Sequence, residues 1–411
     1  MTNSDTKNFS QNVSSSYHLE DRGKCNKNTC ANARNVPKLR FKGYNDEWKK
    51  VKLKDICIDF IVPMRDKPKE FNGNIPWCRI EDIDGNYFNG TKSNKYVSQE
   101  TIDKMNLKII PTGSVICSCS ASLGTYAINT CPIITNQTFI GLVCSEKISN
   151  HFLLNLMNTQ TRKLKIIAGG TTIPYISREK FEEYNIKIPS LPEQEKIASF
   201  LTLIDKKIEK QKKLVVLLKK YKRGLLSAIF SQKLRFKDDN GNNYPAWEEK
   251  RLENILKIKH GKSQKEIECN NGKYPILATG GEIGKTNSYL WDKPCVLIGR
   301  KGTIDKPQYM DTPFWTVDTL FYSEVFKENN AKYLYYLFNT INWKKYDEST
   351  GVPSLSAKTI ERIKVTLSIN YSEQLAISKI LSKFDDKIQQ EEFILEKLQN
   401  YKKGLLQQMF I

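Results

Sequence analysis

LPEQEKIASFLTLIDKKIEKQKKLVVLLKKYKRGLLSAIFS, Leu191 to Ser231, is answered 180 residues later by YSEQLAISKILSKFDDKIQQEEFILEKLQNYKKGLLQQMFI, Tyr371 to Ile411. The two align without a gap. Glu193 falls on Glu373, Gln194 on Gln374 and Asp205 on Asp385; Tyr221-Lys222 falls on Tyr401-Lys402, Gly224-Leu225-Leu226 on Gly404-Leu405-Leu406, and Phe230 on Phe410. Inside each copy the apolar residues follow a 4-3 spacing. Ile197, Leu201, Ile204, Ile208, Val215, Leu218, Leu225 and Ile229 form one stripe; Ile377, Leu381, Phe384, Ile388, Leu395, Leu398, Leu405 and Met409 form the other. A heptad stripe sustained this long predicts a coiled coil. Both stripes break at the same two places, Gln211 and Glu391, then Lys222 and Lys402. Two breaks in register argue for one duplicated element rather than two unrelated amphipathic helices.

Composition narrows the partners. The chain has 411 residues, enough for two or three domains, and 39% hydrophobic content supports real cores. A formal net charge of +20 suits a polyanion, nucleic acid before an anionic membrane. No apolar run is long enough to span a membrane and no signal peptide is evident, so a cytoplasmic protein is expected. Cys25, Cys30, Cys57, Cys78, Cys117, Cys119, Cys131, Cys144, Cys269 and Cys295 lack the spacing of a disulfide framework and read as reduced thiols. Zinc wants paired Cys or nearby His; with only His18, His151 and His260, no metal site is expected.

The rest of the chain is also duplicated. A polar leader, 1–36, has too little apolar surface to offset its ordering entropy and reads as a flexible tail. A first globule, 37–190, precedes the first long helix, 191–231; a second, 232–369, precedes the second helix, 370–411. Lys38-Leu39-Arg40-Phe41 recurs as Lys233-Leu234-Arg235-Phe236, Trp48 as Trp247, and Leu53 as Leu252. At the far ends Ile173-Pro174 matches Val352-Pro353 and Ser177 matches Ser356. The middles differ, apart from Gly124-Thr125 and Gly302-Thr303.

Within the globules VKLKDI, GSVICSCS, TFIGLVC, YNIKIP, PCVLIGRKGT and TLFYSEV have the β-branched runs of strands. HFLLNLMNTQTRKLKII and AKYLYYLFNTINWKKY have helical spacing. The fold class expected is α+β: two α/β globules separated by two long helices that pair as an antiparallel coiled coil, with a pseudo-twofold internal repeat.

This arrangement resembles the specificity subunit of type I restriction-modification systems. The resemblance is carried by Trp48 and Trp247, the Gly-Thr-Thr-Ile-Pro and Thr-Gly-Val-Pro turns, Pro-Ser-Leu-Pro-Glu-Gln-Glu at 189–195, and the two Tyr-Lys-Arg/Lys-Gly-Leu-Leu segments. It covers residue 37 to the end. The second copy departs at Ile369-Asn370-Tyr371-Ser372, where the first has Ser190-Leu191-Pro192. The resemblance implies two target-recognition domains, each reading half of a split site in double-stranded DNA, held apart by the helices. It implies a chain without catalysis or cofactor of its own. Two methyltransferase subunits and restriction/translocase subunits assemble on it, and S-adenosylmethionine, ATP and Mg²⁺ belong to those partners. Geometry agrees. Glu193 to Phe230 spans about 55 Å as a helix, more than a turn of B-DNA, so two globules at its ends would reach separate groove segments.

Base edges are read by forked donors and acceptors on turns. In the first globule the candidates are Ser118, Ser120, Ser122 and Tyr126, then Asn136 and Gln137, then Thr171, Thr172, Tyr175 and Arg178. In the second they are Lys262, Ser263, Gln264 and Lys265, then Arg300, Lys301 and Thr303, then Ser354, Ser356 and Lys358. Each competes with an ordinary solvated turn. The basic run from Lys206 to Arg223 faces either DNA phosphates or solvent. GGEIGKT at 280–286 looks like a phosphate loop but has Thr279 where the first glycine belongs. No Asn-Pro-Pro-aromatic tetrapeptide and no glycine-rich cofactor loop is present. Two other classes stay open: a coiled-coil scaffold that binds nucleic acid without strong sequence preference, and an enzyme with an unrecognised site.

Overall fold

The computed structural model describes residues 19–21, 35–120, 122–169 and 174–411. The polar leader lies almost wholly outside them. The two repeats form continuous helices, Leu191–Phe230 and Tyr371–Met409. The chain divides into two compact units: Met1–Lys213 with Glu392–Ile411, and Leu214–Glu391. Each long helix therefore contributes one part to each unit.

The units share a plan that the middles of the sequence hide. In the first, the main sheet runs Cys57–Ile61, Phe139–Cys144, Val115–Ser118, Tyr126–Asn129, then the short strands Tyr87–Phe88 and Ile83–Asp84. In the second, it runs Leu256–Lys259, Leu320–Val325, Cys295–Gly299 and Gln308–Met310. A small three-stranded sheet accompanies each: Ile134–Thr135, Ile75–Cys78 and Tyr96–Val97 in one, Gly281–Thr286, Tyr274–Ala278 and Trp315–Thr316 in the other. The two ends of each globule meet as a two-stranded pair, Asn185–Ile188 with Lys49–Lys52, and Lys364–Leu367 with Glu248–Arg251. Gly124 and Gly302, the shared glycines, both sit in the left-handed region, with φ of +102° and +84°. A turn with that backbone follows the central strand of each sheet, which is why glycine recurs there.

Two expected elements are shorter in the structure. VKLKDI is strand only to Lys52 and then turns as a 3₁₀ helix, Leu53–Asp55, closed by the Asp55 side chain accepting from the Lys52 amide at 2.9 Å. AKYLYYLFNTINWKKY is α-helix only over Ala331–Phe338. Asn339 donates from its side chain to the Tyr335 carbonyl at 2.7 Å, and Thr340 to that of Leu337 at 2.6 Å. The same carbonyls also accept the Asn339 and Thr340 amides, at 3.2 and 2.9 Å, so side chain and backbone together close the last turn.

Each globule grips the start of its own helix through the repeated Glu-Gln. In the first unit both carboxylate oxygens of Glu193 accept from Arg40, Nε and Nη2, at 2.7 Å each, with Arg40 2% and Glu193 1% exposed. Gln194 accepts from the Ser149 amide at 3.0 Å and donates to the carbonyls of Lys147 and Pro189. In the second unit Arg235 reaches Glu373 at 3.0 and 3.3 Å, and Gln374 accepts from the Asn330 amide at 2.7 Å. Glu373 also takes Trp247 Nε1 at 3.0 Å and Ser368 Oγ at 2.6 Å.

The other helix closes the same core. Trp48 meets Phe152 and Phe410 edge-on, with centroids 5.8 and 6.1 Å away. Trp247 meets Phe230 and Tyr333 at 5.9 and 6.3 Å. Polarity follows from these contacts. In the first unit Lys402 pairs with Asp205 at 2.5 Å. Going back along one helix to Gln194, which holds Ser149, corresponds to going forward along the other to Phe410, which meets Phe152. The stretches run antiparallel. Lys222 pairs with Asp385 in the same way in the second unit. The second break in each stripe is thus a lysine that finds the aspartate of the other repeat. Asp205 also accepts from Asn86 Nδ2 at 2.8 Å and Asp385 from the Tyr336 hydroxyl at 2.6 Å, so each crossing is tied to its globule.

The stripe residues are graded. Ile197, Leu201, Ile204, Ile208, Leu398 and Leu405 are buried in the first core, with Leu395 packed against it. Ile377 and Leu381 are buried in the second core and Leu225 packs against it. Val215 and Ile388 are buried, and Leu218 and Phe384 half-buried, Phe384 against the Tyr221 ring at 5.3 Å.

Removing one partner of a buried ion pair strands the other charge, which costs about 3–5 kcal/mol, whereas a half-exposed pair contributes about 0–1 kcal/mol. Glu193→Ala should therefore lower the stability of the first unit by about 3–5 kcal/mol in urea titration. Lys222→Ala should cost no more than about 1 kcal/mol. Equal losses for the two would contradict this ranking.

Candidate nucleic-acid interface

Strand register brings the loops of each sheet to one end. Ile61 pairs with Gly141, near the start of its strand, and Phe139 pairs with Ser118, the last residue of the next. The segments after Ile61, after Ser118 and before Phe139 therefore leave the same sheet end. The turn containing Tyr175 joins them, since Tyr175 bridges both Ser120 and Gly169. In the second unit Lys259 pairs with Tyr322 and Gly299 with Leu320, so the segments after Lys259, after Gly299 and before Leu320 leave one end. The 347–356 turn joins that group: the Leu355 amide donates to the Arg300 carbonyl at 2.9 Å and the Gly302 amide to the Pro353 carbonyl at 2.8 Å.

Most of the candidates chosen on the sequence lie in these loops, in different states. In the first unit Ser118 and Tyr126 are buried. Ser118 Oγ donates to the Ser120 carbonyl at 3.0 Å, and Tyr126 takes the Thr161 hydroxyl at 3.3 Å. Desolvation pushes the Tyr126 hydroxyl well above its ordinary pKa. They lie on opposite faces of the sheet, Tyr126 beside Cys117 and Ser118 beside Phe139, and both faces are covered there. Asn136 is half-buried and accepts from Thr138 at 2.6 Å. Ser122 and Gln137 are exposed, Ser120 half-buried and Tyr175 44% exposed. Thr171 and Thr172 lie outside the described residues. Arg178 is held by Glu182 at 2.6 Å and Asp59 at 3.5 Å, so its fork is already engaged.

In the second unit Lys262, Ser263 and Lys265 are exposed and Gln264 half-buried. The backbone of this loop is fixed, with the Lys262 amide on the Thr316 carbonyl at 2.8 Å and Trp315 Nε1 on the Lys262 carbonyl at 2.9 Å. Arg300 donates to the Asp318 carbonyl at 3.3 Å; Lys301 is exposed and Thr303 half-buried. The Ser354 amide donates to Asp347 at 2.9 Å, and this bond, with those from Ser349, holds the Asp347 carboxyl below the usual carboxylate range. The turn therefore loses that support as pH falls through the depressed value. Lys358 is exposed. Ser356 acts as a helix cap, because its hydroxyl oxygen accepts the Thr359 amide at 3.1 Å at the start of the Ala357–Arg362 helix. The matching Ser177 caps Arg178–Glu182.

The phosphate-loop lookalike is resolved by its surroundings. Gly281–Thr286 is a strand paired antiparallel with Tyr274–Ala278, not a loop opening a helix. Among the described residues no group of three or more His, Cys, Asp or Glu is placed to hold a metal ion, and no helix is long and apolar enough to cross a membrane.

Two loop-bearing α+β units, each closed by segments of both long helices, define a tandem-repeat scaffold with a variable loop cluster per repeat. Comparison with known proteins gives the family. Residues 45–218 and 245–400 match the family described as "Type I restriction modification DNA specificity domain". The chain belongs to this family. It is 29% identical over 246 residues to the type I restriction enzyme MjaIX specificity subunit of Methanocaldococcus jannaschii, covering 56% of this chain and 57% of that protein. It is 24% identical over 342 residues to the EcoprrI specificity subunit of Escherichia coli, covering 77% and 82%. The fold matches the crystal structure of a type I restriction-modification S subunit from M. genitalium with a TM-score of 0.63, at 20% identity, over 92% of this chain and 99% of the other.

One loop at this end of the sheet, Val62–Asn74, is absent from the candidates that residue type picks out of the sequence. It follows the strand that matches Leu256–Lys259, whose own loop supplies four candidates. The repeat itself points to it: Trp48 and Leu53 stand to it as Trp247 and Leu252 stand to Lys262–Lys265.

A helix cap is worth about 1 kcal/mol. Ser356→Ala should lower stability by about that much while leaving the DNA sequence preference unchanged, measured by thermal melting alongside binding to single-base variants. A changed preference at unchanged stability would make Ser356 a reader instead.

Proposed function

We propose that this chain is the specificity subunit of a type I restriction-modification complex. It binds double-stranded DNA at a bipartite site, the loop cluster of each unit reading one half. It serves as the scaffold on which two methyltransferase subunits and restriction/translocase subunits assemble. It performs no chemistry; S-adenosylmethionine, ATP and Mg²⁺ are held by those partners.

The observation that carries this reading is the contrast between frame and loops. The Arg-Glu grip, the glutamine anchor, the tryptophan and the Asp-Lys crossing are all duplicated. Most of the loop residues at the sheet ends are not, the glycine-threonine turns apart. Lys262, Ser263, Gln264 and Lys265 in one unit face Pro63, Met64, Arg65 and Asp66 in the other. Two constant frames with different readers suit a split site with two different halves. The net charge of +20 supports a DNA partner, since phosphate neutralisation dominates affinity.

Two experiments test this. Incubated alone with S-adenosylmethionine and DNA, the purified chain should transfer no methyl groups; transfer would overturn the assignment. Replacing Gly43–Lys187 by the matching segment of a relative leaves Arg40, Glu193 and Gln194 in place. Methylation mapping of the reconstituted complex should then show one changed half-site and one unchanged. A change in both halves would refute one reader per unit.

A further inference from the structure

The Val62–Asn74 loop of the first unit carries a feature not shared with its counterpart. Pro63 and Pro68 are buried, and between them Met64, Arg65, Asp66 and Lys67 are exposed. Two prolines anchor the tip from both sides and limit the conformations it loses on binding. The loop leaves the strand Cys57–Ile61 at the sheet end where the 119–124 and 136–138 segments also emerge, as Phe139 pairs with Ser118. Its equivalent, after Leu256–Lys259, occupies the same place relative to Leu320 and Gly299.

The arginines of this unit divide by what they already hold. Arg40 is committed to Glu193, Arg79 to Glu81 and Arg178 to Glu182 and Asp59. Among the described residues of the unit, Arg65 and Arg162 have no hydrogen-bond, ion-pair or ring partner. Arg162 lies on the Asn150–Ile167 helix rather than on a loop, next to Thr161, which packs against Gly124 and donates to the Tyr126 hydroxyl. Arg65 lies at the tip. Lys67, two residues on, sits over the Phe71 ring at 5.9 Å. An unengaged guanidinium on a braced tip offers two parallel donors without breaking an existing bond. That is the group that matches O6 and N7 of guanine in the major groove.

We propose that the Pro63–Pro68 tip contacts DNA and that Arg65 reads a guanine in the half-site of the first unit. This rests on the proposed function and adds the residue and the base.

The test uses the chain assembled with its methyltransferase subunits and the mapped site, with wild type, Arg65→Ala and Arg65→Gln side by side. Relative methylation of every single-base variant of both half-sites is measured, with binding at several salt concentrations. Expected for both Arg65 variants is a loss of about 10- to 100-fold in discrimination at one guanine of one half-site. The other half-site stays intact. Uniform weakening across all variants, with a shallower salt dependence, would make Arg65 a phosphate contact and overturn base reading. Unchanged affinity and preference in either Arg65 variant would overturn the contact altogether. If wild type itself shows no two-part preference, the proposed function fails, and the inference with it.

Discussion

The architecture depends on one ion pair, made twice, buried on both sides between Arg40 and Glu193 and with a partly exposed arginine between Arg235 and Glu373. Arg40 and Arg235 enter from the first few residues of each globule, and Glu193 and Glu373 from the first turn of each long helix. Taking charges out of water is costly, and a buried pair is weak evidence for stability in itself. Its use here is directional. A planar guanidinium and a carboxylate fit in one orientation, so the start of the helix is fixed in rotation as well as in place. The neighbouring glutamines complete the seat by taking one backbone amide and giving two hydrogen bonds.

The same logic explains the interruptions of the heptad stripe. A lysine in an apolar seam lowers stability and raises selectivity. Lys222 and Lys402 have one suitable partner each within their units, Asp385 and Asp205. A parallel or shifted pairing would leave the lysine against leucines. Asn86, between two strands, and Tyr336, on the Ala331–Phe338 helix, then tie each aspartate to its globule, so crossing and globule are positioned by one group.

What was legible in the sequence was whatever is periodic or repeated. The helices followed from the 4-3 spacing, and the family followed from the repeated frame residues. The pairing of Arg40 with Glu193 was not legible, because the two are 153 positions apart and each repeats for its own reasons. The common sheet plan was hidden because strands tolerate any apolar filling: Val115-Ile116-Cys117 and Val296-Leu297-Ile298 build equivalent central strands from different side chains. Residue type alone points to base-reading candidates without saying which way they face. Type does not distinguish Ser118, which faces the core, from Ser122, which faces solvent. Nor does it distinguish Arg178, already paired, from Arg65.

The division of the chain has a consequence for truncation. The first unit includes Glu392–Ile411, so a distant stretch of sequence completes its core. Without Phe410, Trp48 and Phe152 lack a neighbour, and without Lys402 Asp205 lacks its ion-pair partner. The second unit, Leu214–Glu391, is one contiguous span. Loss of the stretch after Glu391 would therefore open the first core and leave every residue of the second unit in place.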